Sequence, residues 1–142
     1  MKIQPVVPNC IHISHGPFIV DFKIPYNIIL IVGDAGTGKS MIYSFIEEYG
    51  TEDARIRCLN YLDCNKPYKK SIKRSKGKLF VIDNADVLLD DNMRQYIATD
   101  ANNQYIIIGR NPTGLLLIQD NIYELVHTKE GAKTVFRLKT AF

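Results

Sequence analysis

The stretch Ile28-Ile-Leu-Ile-Val32, followed at once by Gly33-Asp-Ala-Gly-Thr-Gly-Lys-Ser40, restricts what the rest of the chain is able to build. Five consecutive apolar residues without polar alternation read as a strand covered on both faces. Such a strand needs neighbours beside it and apolar material above and below, so it commits the chain to a sheet with two packed faces. The eight residues after it hold three glycines, Gly33, Gly36 and Gly38, which accept positive φ and let backbone approach a bound group closely. Beyond them Ile42, Phe45, Ile46 and Tyr49 recur at helical spacing until Gly50. The stretch is therefore expected to be a strand, a tight loop and a helix start.

Two more buried strands are expected at Lys78 to Asp83 (KLFVID) and Gln104 to Gly109 (QYIIIG), with a weaker one around Arg55 to Leu62. The chain begins with a hairpin pattern, CIHIS and FIVDFKI about His15-Gly16-Pro17, and ends with a second one turning at Lys129 to Ala132. DDNMRQYIATDA reads as a helix capped by Asp90 or Asp91, with Arg94 on its solvated face. GLLLI, Gly114 to Ile118, reads as core packing against the sheet. Apolar strands interleaved with helices predict an α/β fold: a mostly parallel sheet with flanking helices and antiparallel hairpins at the N- and C-termini.

At 142 residues, 46% of them hydrophobic and 23% charged, the chain suits a single domain spanning 1–142. No apolar run approaches a membrane span, and the first residues lack the basic start and apolar core of a secretory leader, so a cytoplasmic protein without membrane contact is expected. Cys10, Cys58 and Cys64 are odd in number and, like His12, His15 and His127, not in zinc-ligand spacing; the cysteines read as buried or idle thiols. The net charge of +3 is unevenly spread. Lys66, Lys69, Lys70, Lys73, Arg74, Lys76 and Lys78 form an acid-free run, leaving the remainder with more acidic than basic residues. That run reads as a loop or one short helix, either solvated or binding nucleic acid backbone, with Tyr68 available for stacking, or an acidic protein.

Gly33 to Ser40 fits G-x-x-x-x-G-K-[ST] at every position. Loop N–H groups and the positive end of the following helix would face an anion, so Gly33, Asp34, Ala35, Gly36, Thr37, Gly38, Lys39, Ser40 and Met41 are the candidate nucleotide-binding residues. Lys39 would reach the outer phosphates, and the Ser40 hydroxyl is a hard oxygen suited to Mg2+. A second magnesium ligand is expected from Asp83, at the carboxyl end of its strand.

The octapeptide resembles a Walker A motif, and LFVIDNAD resembles a Walker B motif, of the P-loop NTPase superfamily. The strand order along the sequence is similar to that of AAA+ ATPases. The resemblance implies a P-loop NTPase-type fold, ATP and Mg2+ as cofactors and ATP hydrolysis. It also implies a polar residue after the third strand, Arg110 or Asn111, that senses the γ-phosphate. Arg110 has two further readings: a solvated strand end, or a finger reaching a neighbour's nucleotide in a nucleotide-dependent homo-oligomer. The glutamate that commonly follows the Walker B aspartate is replaced by Asn84, which orients water but accepts no proton at neutral pH. Water would be placed by Asn84 or Asp86. The chain ends soon after the second hairpin, so no separate lid is expected. These features imply a slow or partner-stimulated ATPase acting on a macromolecule, against an ATP-dependent switch or scaffold with negligible hydrolysis. A small-molecule kinase is the weaker third reading, for want of an arginine-rich lid.

Overall fold

The computed structural model describes residues 10–33, 38–63 and 67–142. In chain order its elements are β1 (Cys10–His15), β2 (Phe18–Lys23), β3 (Ile28–Val32), α1 (Lys39–Tyr49), β4 (Ile56–Leu59), α2 (Tyr68–Arg74) and β5 (Leu79–Ile82). They continue with α3 (Ala85–Leu88), α4 (Asp91–Thr99), β6 (Gln104–Ile108), β7 (Ile122–Glu130) and β8 (Lys133–Thr140). All eight strands join one sheet in the order β1-β2-β8-β7-β3-β6-β5-β4. Strand β3 runs parallel to β6 and β7, and β5 runs parallel to β6 and β4. The two hairpins, β1–β2 and β7–β8, are antiparallel, and β2 meets β8 in parallel.

This architecture corrects the expectation of a P-loop NTPase-type mostly parallel sheet with flanking helices and antiparallel hairpins at its ends. The described residues build a curled mixed sheet of eight strands, a half-barrel, with four short helices. The hairpins are not appendages. Phe18, Ile19 and Val20 of β2 pair with Thr134, Val135 and Phe136 of β8, so both hairpins belong to one continuous ladder. Their inward residues, Ile11, Ile13, Val20 and Phe22, share a core with Ile42, Tyr43, Phe45 and Ile46 of α1. Ile56 of β4, at the opposite edge, belongs to that same core. The sheet thus bends around α1, and the His15 ring of β1 stacks on Phe45 with centroids 4.4 Å apart. A helix with its side chains is about 10 Å across and strands lie about 4.8 Å apart, so one helix covers about two strands. Curling buries the apolar surface that four short helices leave uncovered.

Within the parallel part the unalternated apolar runs behave as their composition demands. Ile29, Ile31, Val81, Ile106 and Ile108 face α1. Ile28, Leu30, Phe80, Ile82, Tyr105 and Ile107 face the other way, against Ile72 of α2, Leu88 of α3 and Met93 and Ile97 of α4. Asp90 caps α4, accepting the Met93 N–H at 2.8 Å. The segment Gly114 to Ile118 contributes less to the core than expected: Leu115 is buried, but Leu116 is 64% and Ile118 43% exposed. The chain turns at Leu116 with φ of 55°, which swings that side chain outward. Among the described residues no helix is long and apolar enough to cross a membrane.

At the starting ends of β3, β5 and β6 a buried polar knot fixes strand register. Asn27 donates to the carbonyls of Asp100 and Asn103, at 3.3 and 2.6 Å, while Tyr105 donates its hydroxyl to Asp100 at 2.6 Å. The opposite, carboxyl ends of the same strands are left to form a cleft.

Candidate functional site

A cleft of about 280 Å³ opens where β3, β5 and β6 end. Lys39 and Ser40 enter it from the start of α1, Asp83 and Asn84 from the end of β5, and Gly109 and Arg110 from the end of β6. Lys39, Ser40 and Asp83, separated by more than forty residues of chain, therefore share one cavity. Asp34, Ala35, Gly36 and Thr37 lie outside the described residues, as do Cys64 and Lys66.

Gly38 starts α1 with φ of 96°, a left-handed conformation that glycine takes without strain. A β-carbon there would stand 3.3 Å from the Phe136 ring, so the backbone is wedged against β8. No acidic residue occupies the first turn of α1, so no carboxylate of that turn offsets the positive end of its dipole. Lys39 donates its ammonium to the Gly33 carbonyl, which holds the side chain over the end of β3.

Asp83 is half-buried, and burial pushes its carboxyl above the usual carboxylate range; the N–H of Asn84 and the charge of Lys39 pull the other way. Its Oδ1 accepts that N–H at 2.9 Å. Asn84 turns the chain with φ of 51°, and asparagine is among the few residues other than glycine that tolerate this region. A glutamate at position 84 would carry backbone strain that asparagine avoids, which gives the amide a conformational reason to be there. Asn84 itself is exposed to the cleft.

The raised Asp83 carboxyl has a stability consequence with a definite sign. The folded state holds the proton more tightly than the unfolded chain, so ionised Asp83 costs stability above its folded pKa, and the cost disappears below about pH 4. Asp83→Asn is therefore expected to be more stable than the parent in metal-free urea unfolding at pH 7, the difference closing as the pH falls. A variant less stable than the parent at pH 7 would contradict this electrostatic account.

Asp86 is not a free base. Its Oδ2 accepts the Arg110 N–H at 2.9 Å and its Oδ1 the Asn111 N–H at 3.1 Å, while Arg94 Nη2 lies 3.3 Å from Oδ1. The expectation that Arg94 is solvated is corrected: its side chain is only 5% exposed. Its Nη1 donates to the carbonyls of Asn111 at 2.6 Å and Thr113 at 3.1 Å. Arg94 and Asp86 together pin the segment after β6, and a β-carbon at Gly109 would lie 2.9 Å from Asp86 Oδ1, so any larger residue there has to displace that carboxylate. Asn111 uses its own Oδ1 to accept the Thr113 N–H at 3.0 Å and does not line the cleft, whereas the exposed Arg110 does.

Ser40 and Asp83 bring two hard oxygen donors to one cleft, a set that fits magnesium, which keeps several waters and takes few protein ligands. Among the described residues no cluster of three or more His, Cys, Asp or Glu stands ready for a metal that needs a full protein cage.

The basic run divides. Lys69 pairs with Asp90, Lys73 lies 5.5 Å above the Tyr96 ring, and Lys78 donates to the Ala54 carbonyl at 3.2 Å. Tyr68 is buried and donates to the Leu88 carbonyl at 2.7 Å, so the expectation that it is free for stacking is corrected. Lys69, Lys70, Lys73, Arg74 and Lys76 are exposed. Compared with known proteins, the chain matches no family model, no curated protein and no solved structure.

Proposed function

We propose that the protein binds Mg-ATP through Gly33 to Ser40 and is a slow or partner-stimulated ATPase, related in its site motifs to AAA+-like P-loop NTPases. The observation that carries this reading is the meeting of Lys39, Ser40 and Asp83 in one cleft at the carboxyl ends of β3, β5 and β6. Lys39 would release the Gly33 carbonyl and place its ammonium on the outer phosphates; Ser40 and Asp83 would hold the metal. Bound magnesium supplies charge neutralisation at the phosphoryl oxygens. Asn84 would orient the attacking water, and Arg110, which lines the same cleft, would face the γ-phosphate. The exposed residues of the basic run, Lys69, Lys70, Lys73, Arg74 and Lys76, are the surface offered to a macromolecular partner, nucleic acid or acidic protein, and a nucleotide-dependent homo-oligomer is part of the same proposal.

The engagement of Asp86 favours a second reading, an ATP-dependent switch with negligible hydrolysis. With both oxygens accepting backbone N–H groups and Arg94 at its side, Asp86 has little capacity left to take a proton from water. A phosphate-release assay on the full chain, alone and with added DNA or RNA, separates the two. Slow release abolished by Asp83→Ala is the expected result. Tight ATP binding without release establishes the switch, and failure to bind ATP overturns both.

A further inference from the structure

We infer that the cavity between α1 and the β2–β8–β7 surface holds the base of the bound nucleotide, an inference that rests on the nucleotide-binding reading above. The cleft of about 280 Å³ lies at the lower edge of the roughly 300–1,000 Å³ typical of small-molecule sites. Its polar lining suits phosphates and a metal, which leaves the base to be placed beside it. On the other side of the α1 start is a second, more apolar cavity of about 320 Å³, lined by Phe18, Gly38, Met41, His127, Thr134 and Phe136 among others. Gly38 belongs to this cavity and the next two residues, Lys39 and Ser40, to the polar cleft. One turn of backbone therefore separates the two, and a chain of phosphates running over it passes from one to the other.

The lining suits a flat aromatic ring. Phe136 and His127 are cross-strand neighbours with ring centroids 5.7 Å apart, and Phe18 lies 6.1 Å from Phe136. Met41 adds a polarizable thioether that adapts to a ring face. The lining residues carry no carboxylate or carboxamide, so the base is held by stacking and shape, with Thr134 and Lys129 the polar residues of the lining besides His127. Thr134 pairs with Phe18 on β2 and with Lys129 on β7, so its side chain enters the cavity from strands that are hydrogen-bonded on both sides.

The test compares ATP with inorganic tripolyphosphate, which has the phosphates and lacks the base, in calorimetric titrations of the parent, Thr134→Trp and His127→Ala chains. Thr134→Trp fills the cavity from a partly exposed position and is expected to weaken ATP about tenfold or more. His127→Ala is expected to cost about fivefold or more, as loss of an aromatic stacking partner does. Tripolyphosphate affinity should stay within about twofold of the parent in both, which also shows that the variants are folded. Unchanged ATP affinity in both variants, or an equal loss for ATP and tripolyphosphate, overturns the base site. A parent that binds tripolyphosphate as tightly as ATP overturns it too, while leaving the phosphate loop standing. A parent that binds neither ligand overturns the nucleotide reading and this inference with it.

Discussion

Lys39→Ala is expected to weaken Mg-ATP binding between about tenfold and a hundredfold in calorimetric titration, with little change in stability. A hydrogen bond to a charged partner contributes roughly 1.5–3 kcal/mol, and 1.4 kcal/mol is a factor of ten in affinity. In the structure the ammonium is spent on one carbonyl, that of Gly33 at the end of β3. Lys39 is only half-buried there, so water replaces it at that carbonyl, and unfolding in urea should shift by less than about 1 kcal/mol. The separation of the two readouts is what makes the experiment decisive. Binding lost together with stability would indicate a structural lysine, and unchanged binding would place the phosphates elsewhere.

The second large effect belongs to Arg94. Arg94→Leu is expected to destabilise the protein by about 3 kcal/mol, the lower end of what breaking a buried ion pair costs when one partner is removed. The variant leaves the carbonyls of Asn111 and Thr113 without their donor and strips Asp86 of its cation. Asp86 is 37% exposed, which keeps the cost from being larger. For a domain whose whole stability is about 5–15 kcal/mol, such a loss is plain in a urea midpoint. A loss under about 0.5 kcal/mol would mean that the guanidinium is solvated after all. Because the same contacts hold the segment from Gly109 to Thr113, the variant should also loosen Arg110 at the cleft and weaken nucleotide binding.

The burial of Arg94 was legible in the spacing, though it was outvoted by charge. Met93, Arg94, Ile97 and Ala98 are the buried residues of α4, and position 94 falls three before Ile97 and four before Ala98. Helical periodicity puts it on the apolar face; composition argues for water. The carbonyls of Asn111 and Thr113 and the carboxylate of Asp86, whose approach to Arg94 is invisible in the sequence, decide the matter. The cleft itself was more legible: Lys39 and Ser40 stand out by motif spacing, and Asp83 by its place at the end of an apolar run. The engagement of Asp86 was not legible, because nothing local reveals that the backbone amides of residues 110 and 111 reach it from 24 and 25 residues away.

Strands were readable wherever a run was long and apolar, as at β3, β5 and β6, or bounded by turn residues, as in both hairpins. Helix α3 was not, since four residues are too few to show a period. The larger miss was the sheet. Parallel pairing of Phe18 with Thr134 joins residues more than a hundred positions apart, and no alternation pattern specifies which strand lies beside which. An apolar run says that a strand is covered on both faces. It does not say whether separate helices do the covering or the sheet's own curvature around one helix.

The account stands or falls on magnesium-dependent nucleotide binding by the full chain, read directly by titrating it with ATP in the presence and absence of Mg2+. With Lys39 on the phosphates and Ser40 and Asp83 on the metal, one ATP should bind per chain, and removing the metal should weaken it about tenfold or more. Absence of binding, or an affinity indifferent to magnesium, would contradict the site.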